Sequence, residues 1–306
     1  MLRTFNLEKT YQYLLISLAF LMPLTVFGGN LVILLIVILW LISGSYRNKF
    51  NLIIQSKLLL ASIIFFGLHV IGLFWTNDME WGIHIVRKMW YFLLLFPVLY
   101  TIVIKENIHK YIASFLLAIT ITEILSYSIW FEIIEPFKNA SVYNPTPFMS
   151  HISYNPILAF AIYIVLHRLM IQRDIGKIQM FLYGFFGFSM SINMFITGGR
   201  AGQVGFFVIL AVLIFQFFNL SKIKSLIIIF FMTPFIFFSA YQLSTIFSDR
   251  VDAGYQNFIN YSHDMDTKKI TSVGSRLTFN INSIEMIKKN PFLGVGTGDF
   301  PDEYKK

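Results

Sequence analysis

From Tyr11 onward the sequence runs through one long apolar stretch after another, and a chain of this kind has few ways to fold. A helix needs about 20 residues to cross a hydrocarbon core of about 30 Å, and only structures that satisfy their backbone groups internally persist there. The first block, 11–45, exceeds one crossing and is interrupted at Gly28, Gly29 and Asn30, so it reads as two helices joined by a tight turn. Further runs cover 57–75, 88–104, 111–130, 153–170, 178–196, 202–220 and 225–247. The expected fold is an all-α polytopic membrane protein with about nine transmembrane helices. Composition agrees, with 13% charged residues where soluble domains carry about 25%. The first run is not expected to be a cleavable leader, because no small-residue cleavage site follows it.

Orientation follows from the basic residues of the short loops. One alternate set holds Arg3, Lys9, Arg47, Lys49, Lys57, Lys105, Lys110, Arg168, Arg173, Lys177, Lys222 and Lys224, whereas the other holds Arg87, Lys88, Lys138 and Arg200. The first set is expected on the cytoplasmic side of a bacterial inner membrane, which places the N-terminus inside and 248–306 in the periplasm. The chain then divides into a transmembrane helical domain, 1–247, and a periplasmic segment, 248–306. In that segment Leu277, Ile281, Ile284 and Ile287 recur at helical spacing and predict an amphipathic helix near the membrane surface. A glycine-rich turn follows at 294–300. The formal net charge of +8 is assigned to basic loops facing anionic lipid, and no nucleic-acid partner is expected. With no Cys, thiolate nucleophiles, disulfides and Cys-based metal sites are excluded.

Polar groups inside apolar helices are costly and usually face a protein interior or a wet cavity. His69, Glu123, Asn193 and Gln203 meet this description, and the expected topology puts each in the outer half of its span. They are candidate substrate-binding residues around a cavity open to the periplasm; the alternative for each is a local interhelical hydrogen bond. Arg200 stands in the turn Thr197-Gly-Gly-Arg-Ala-Gly202, where glycines let the backbone approach a ligand, although an Arg there can also be a snorkelling anchor. Arg276 follows Ser275, read as a helix N-cap whose following N–H groups favour anions. Guanidinium groups hold phosphate oxygens through paired hydrogen bonds, without a metal. Of the outer histidines His84, His151 and His263, His151 is the best placed to act as a base near the membrane, with loop packing or substrate contact as its alternatives. Glu132, Glu135, Asp249 and Asp252 match no metal-loop spacing, so no metal and no cofactor are expected.

Thr197-Gly-Gly-Arg-Ala-Gly202, then Ser275-Arg276, then Asn290-Pro-Phe-Leu-Gly-Val-Gly-Thr-Gly-Asp-Phe300, in this order on a multispan chain, resemble the O-antigen ligase and polymerase superfamily. The resemblance implies transfer of a glycan from an undecaprenyl-diphosphate-linked donor to an acceptor hydroxyl, on lipid A-core in ligases or on another glycan in polymerases. It implies that Arg200 and Arg276 hold the diphosphate leaving group and that the sugar is inverted, without metal. Family members place a base histidine beyond the Gly-Val-Gly turn. No His follows Gly296 here, so the chain reads as cut short within the outer loop. Gly198-Gly199 stands where the family often has Gly-Ser. A non-enzymatic lipid-linked glycan flippase or carrier, and a non-catalytic assembly subunit, are the competing readings; no internal repeat supports the first.

Overall fold

The computed structural model describes residues 6–138, 140–171, 175–218, 221–263 and 272–305. Among these residues fourteen α-helices follow in order: α1 Leu7–Leu21, α2 Val26–Ile42, α3 Tyr46–Gln55, α4 Lys57–Ile71, α5 Met79–Lys88, α6 Phe96–Ile102, α7 Ile108–Trp130, α8 His151–Ile171, α9 Lys177–Ile196, α10 Arg200–Phe217, α11 Lys222–Leu243, α12 Thr245–His263, α13 Ser272–Lys289 and α14 Phe300–Lys305. Among the described residues no strand forms, and the chain is an all-α polytopic membrane protein.

Among the described residues seven helical stretches are long and apolar enough to cross a bilayer: Lys57–Trp75, Met79–Ile102, Lys105–Trp130, His151–Ile171, Lys177–Ile196, Arg200–Phe217 and Lys222–Leu243. An eighth arises if Val26–Ile42 and Tyr46–Gln55, bent by 116°, form one broken span. Among the described residues α1, with 15 residues, is shorter than a full crossing needs. The N-terminal break also lies elsewhere than expected. α2 runs straight through Gly28, Gly29 and Asn30, and the chain turns at 22–25 instead. Pro23 explains this, since it offers no N–H and biases its predecessor away from helix. The bend after α2 uses consecutive left-handed residues, Gly44 and Ser45; Lys49 Nζ then donates to the Trp40 carbonyl at 2.6 Å and to Ser43 Oγ at 2.7 Å. The span Met79–Ile102 keeps its length by a π-turn at Tyr91–Leu95 just before Pro97, where the proline's missing donor disturbs the ordinary ladder.

Contacts group the chain into two compact units. The first comprises the described residues of Met1–Leu15, Asn30–Ile108 and Gly254–Lys306, and the second Ile16–Gly29 and His109–Ala253. The core of the second unit is built where α8 packs against α9 and α10, with Leu158, Ile162, Met190 and Met194 almost wholly enclosed. Glycine makes the close approach possible: a Cβ on Gly202 would overlap Asn155 Cβ and stand 2.7 Å from Pro156 N. By contrast α11 buries only Ser225 and Ala240 and exposes Phe230, Phe231, Phe235 and Phe238, the pattern of a helix whose solvent is lipid.

Candidate functional site

The turn between α9 and α10 is held in place by one buried side chain of α8. Thr197 Oγ1 lies 2.7 Å from Asn155 Oδ1 and donates to it, while Asn155 Nδ2 donates to the carbonyls of Gly199 and Met194 at 3.3 and 3.4 Å. Gln203 closes the turn from the other side, its Nε2 donating to the Thr197 and Met194 carbonyls at 3.0 and 3.3 Å. Asn155 and Thr197 are both 0% exposed. In a medium without water, such buried amides and hydroxyls must find protein partners, and here their partners are the backbone of the turn. Arg200 therefore begins α10 from a fixed backbone, half-buried.

Three further residues border this turn. Ser141 and Asn144 pair as a short bridge, which presents Asn144 Oδ1 to the Gly198 N–H at 3.0 Å. The Gly199 backbone lies directly against the His151 carbonyl, leaving no room for a Cβ. Arg250, on α12, brings Nε and Nη2 to 3.1 Å from where a Gly198 Cβ would stand. Its charge is close enough to act on His151, the first residue of α8. One end of the second unit thus gathers Arg200, Arg250, His151 and Asn144 around a turn in which Gly199 has no space for a side chain and Gly198 is tightly hemmed by side-chain ends.

The glycine-rich turn at 294–300 belongs to the first unit and is clasped to the corner between α4 and α5. The Asp299 carboxylate, 6% exposed, accepts from the backbone N–H groups of Asn77 and Asp78 at 2.8 and 2.9 Å and from Asn77 Nδ2 at 3.2 Å. Thr297 N–H and Oγ1 donate to the carbonyls of Gly72 and His69, and Gly298 N–H donates to Thr76 Oγ1 at 3.1 Å. A Cβ on Gly298 would stand 2.6 Å from Gly82 N and overlap the Asp78 carbonyl. These glycines are small because backbone meets backbone there.

Residues 185–306 match the family model described as O-antigen ligase. This segment is similar to the O-antigen ligase family. No curated protein and no solved structure matches the chain. The O-antigen ligase segment contains the Arg200 turn, Arg250, Arg276 and the Asp299 clasp, so the three elements that carried the resemblance all lie inside it.

Arg276 lies on α13 and is exposed. The helix runs over Ser272–Lys289, so Ser275 is inside its first turn and is not its cap. Asn193 is 0% exposed, donating to Ser126 Oγ at 2.9 Å and accepting from Tyr154 Oη at 3.0 Å. Gln203 is 4% exposed, so both residues brace the helices around the turn. Glu123, 3% exposed, accepts from Ser189 Oγ at 2.6 Å and borders a cleft between α7 and α9 with Tyr127, Ser128, Phe131 and Phe186. His69, in the first unit, uses Nδ1 on the Phe65 carbonyl at 2.8 Å and lines an aromatic groove with Trp75, Trp81, Phe279 and Phe300. His263 ends α12, and its side chain lies outside the described residues. Sequence reasoning missed Asn155, Asn144 and Arg250. Asn155, a polar residue inside an apolar run, carried the same signal that selected Asn193.

Proposed function

We propose that the protein is a glycosyltransferase of the bacterial inner membrane that moves a glycan from an undecaprenyl-diphosphate donor to a hydroxyl of lipid A-core, inverting the sugar and using no metal. The observation that carries the reading is the Arg200 turn: a guanidinium on a backbone locked by Asn155, within the segment that matches O-antigen ligases. Arg168 and Lys177 at the α8–α9 connection favour the cytoplasm for that end of α9, which puts the turn at its other end at the periplasmic surface, where the lipid-linked donor and the lipid acceptor meet.

In the proposed reaction the acceptor oxygen attacks the anomeric carbon from the face opposite the phosphate. The new C–O bond forms as the sugar–phosphate bond breaks, and the electron pair of that bond leaves on undecaprenyl diphosphate. Arg200 and Arg250 would hold the oxygens on which this charge develops; preorganised donors of this kind contribute about 3–4 kcal/mol each when removed singly from a dry site. Arg276 is proposed as a further phosphate ligand from its place in the family pattern. The acceptor proton would go to a ring nitrogen of His151. Asn193 and Gln203 position the turn, while Glu123 and His69 are proposed as contacts for sugar hydroxyls or the acceptor.

Expression of the gene in a ligase-deficient bacterium tests the reading through glycan-bearing lipid A-core on gels. Restoration that is lost in Arg200→Ala and Arg276→Ala at equal membrane abundance supports a ligase. Longer glycans in a polymerase-deficient host, without restoration in the first, would make it a polymerase of the same family. Failure in both hosts would return the flippase or assembly-subunit reading.

A further inference from the structure

A second cluster of basic groups lies in the second unit, within a cavity of about 390 Å³ bordered by α7, α8 and α9. His109 comes from the start of α7, His167 and Arg168 from the end of α8, and Tyr163 and Tyr183 complete the polar wall. Among the described residues no acidic side chain lines this cavity. Among the described residues, none of the three basic side chains has a hydrogen-bond partner; His167 only packs its ring against Tyr163 at 5.5 Å. The Tyr163 hydroxyl is already committed, donating to Gln216 Oε1 at 3.0 Å.

This cavity does not stand alone. A second one, of about 540 Å³, shares Ile112, Tyr163 and Ile164 with it and continues along the same helices past Phe115 and Phe160 to Pro156. Its wall is almost entirely apolar, and Tyr163 to Pro156 is about 10 Å of helix at 1.5 Å per residue. A basic mouth thus opens into an apolar trough on the flank of a membrane-spanning bundle. Neither a soluble anion nor an uncharged chain satisfies both halves.

We infer that these cavities form one binding site for an anionic phospholipid, with the headgroup phosphate at Arg168, His167 and His109 and an acyl chain in the trough. Guanidinium and imidazole N–H groups pair with phosphate oxygens, and a negative net headgroup charge matches the cations of the described wall. The trough supplies what a headgroup site lacks, burial of methylenes beside Phe115 and Phe160. The site lies at the bundle end that carries Lys110 and Arg168, the end assigned to the cytoplasmic leaflet by its basic residues. It is independent of the glycan-transfer reading, because it shares no residue with the Arg200 turn.

Native mass spectrometry of the full chain, released from bilayer discs holding equal phosphatidylglycerol and phosphatidylcholine, tests the site. Preferential retention of phosphatidylglycerol is expected, with a loss of about five-fold in Arg168→Gln, the effect of one cation beside an anionic lipid. Ala113→Phe, which fills the cavity without changing charge, should abolish the preference, and Lys224→Gln on α11 should leave it intact. Equal retention of both lipids, an unchanged preference in Ala113→Phe, or displacement of the lipid by millimolar inorganic phosphate would overturn the proposal.

Discussion

Thr197 and Asn155 are 42 residues apart in sequence and 2.7 Å apart in space, hydroxyl to amide oxygen, both fully enclosed. That contact ties the turn carrying Arg200 to the start of α8, and with it the backbone beside His151. Asn155→Ala removes the nearest acceptor of Thr197, whose hydroxyl also reaches the Asn193 and Met194 carbonyls, together with the donor to Gly199. Leaving buried polar groups without partners costs about 1–3 kcal/mol, so the variant should melt earlier in detergent. It should also lose transfer activity beyond its loss of folded protein. Normal transfer by an unstable variant would separate the turn from the chemistry.

Asn193 offers the opposite expectation. Both ends of its amide are engaged, with Ser126 and with Tyr154, and the residue is wholly buried. Asn193→Ala should lower thermal stability by about 1–3 kcal/mol while leaving the KM for donor, measured on the folded fraction, within two-fold or so of the parent. A large rise in KM would make Asn193 a substrate contact.

The Asp299 clasp predicts a mechanical effect. Asp299→Asn keeps the shape but loses the charge that strengthens the bonds from Asn77 and Asp78, and bonds to charged groups contribute about 1.5–3 kcal/mol. Faster trypsin cleavage at Lys288 and Lys289, which are exposed at the end of α13, is the expected readout. Gly298→Ala should act in the same direction through overlap with the Asp78 carbonyl. Unchanged cleavage in both would mean that the clasp does not restrain α13.

Arg250 has no hydrogen bond among the described residues, yet its guanidinium is held against Gly198. Arg250→Lys keeps the charge and loses the paired donors, so it should retain part of the transfer activity lost in Arg250→Ala. Equal activity of both variants and the parent would place Arg250 outside donor binding. Gly198→Ala tests the same contact from the turn, because the new methyl would displace the guanidinium.

Much of this was written in the sequence. The span pattern from Lys57 to Leu243 could be read directly, because a bilayer sets a helix length that composition reveals. The N-terminal turn was misplaced because Gly28-Gly29-Asn30 looks like a stronger breaker than Pro23, and inside an apolar helix glycine is tolerated where proline is not. Ser275 looked like a cap because it precedes an arginine and an apolar stripe; nothing local shows that the helix already includes Ser272. The Arg200 turn was legible as a motif, whereas its support was not. Asn155 lies in another helix, Asn144 in a loop and Arg250 beyond the last span, and pairing across such separations depends on packing. The glycines of 294–300 were visible, but only their contact with Gly72, Thr76 and Gly82 tells a docked turn from a ligand cradle.

The most direct test measures turnover of a purified undecaprenyl-diphosphate-linked glycan by the protein in bilayer discs, comparing the parent chain with Arg200→Ala and Arg200→Lys at equal folded amounts. Loss of a preorganised donor to the leaving group predicts a fall of roughly a hundred- to a thousand-fold in kcat for Arg200→Ala, partial recovery in Arg200→Lys and no change in melting temperature. Full turnover by Arg200→Ala, with the turn intact, would contradict the account.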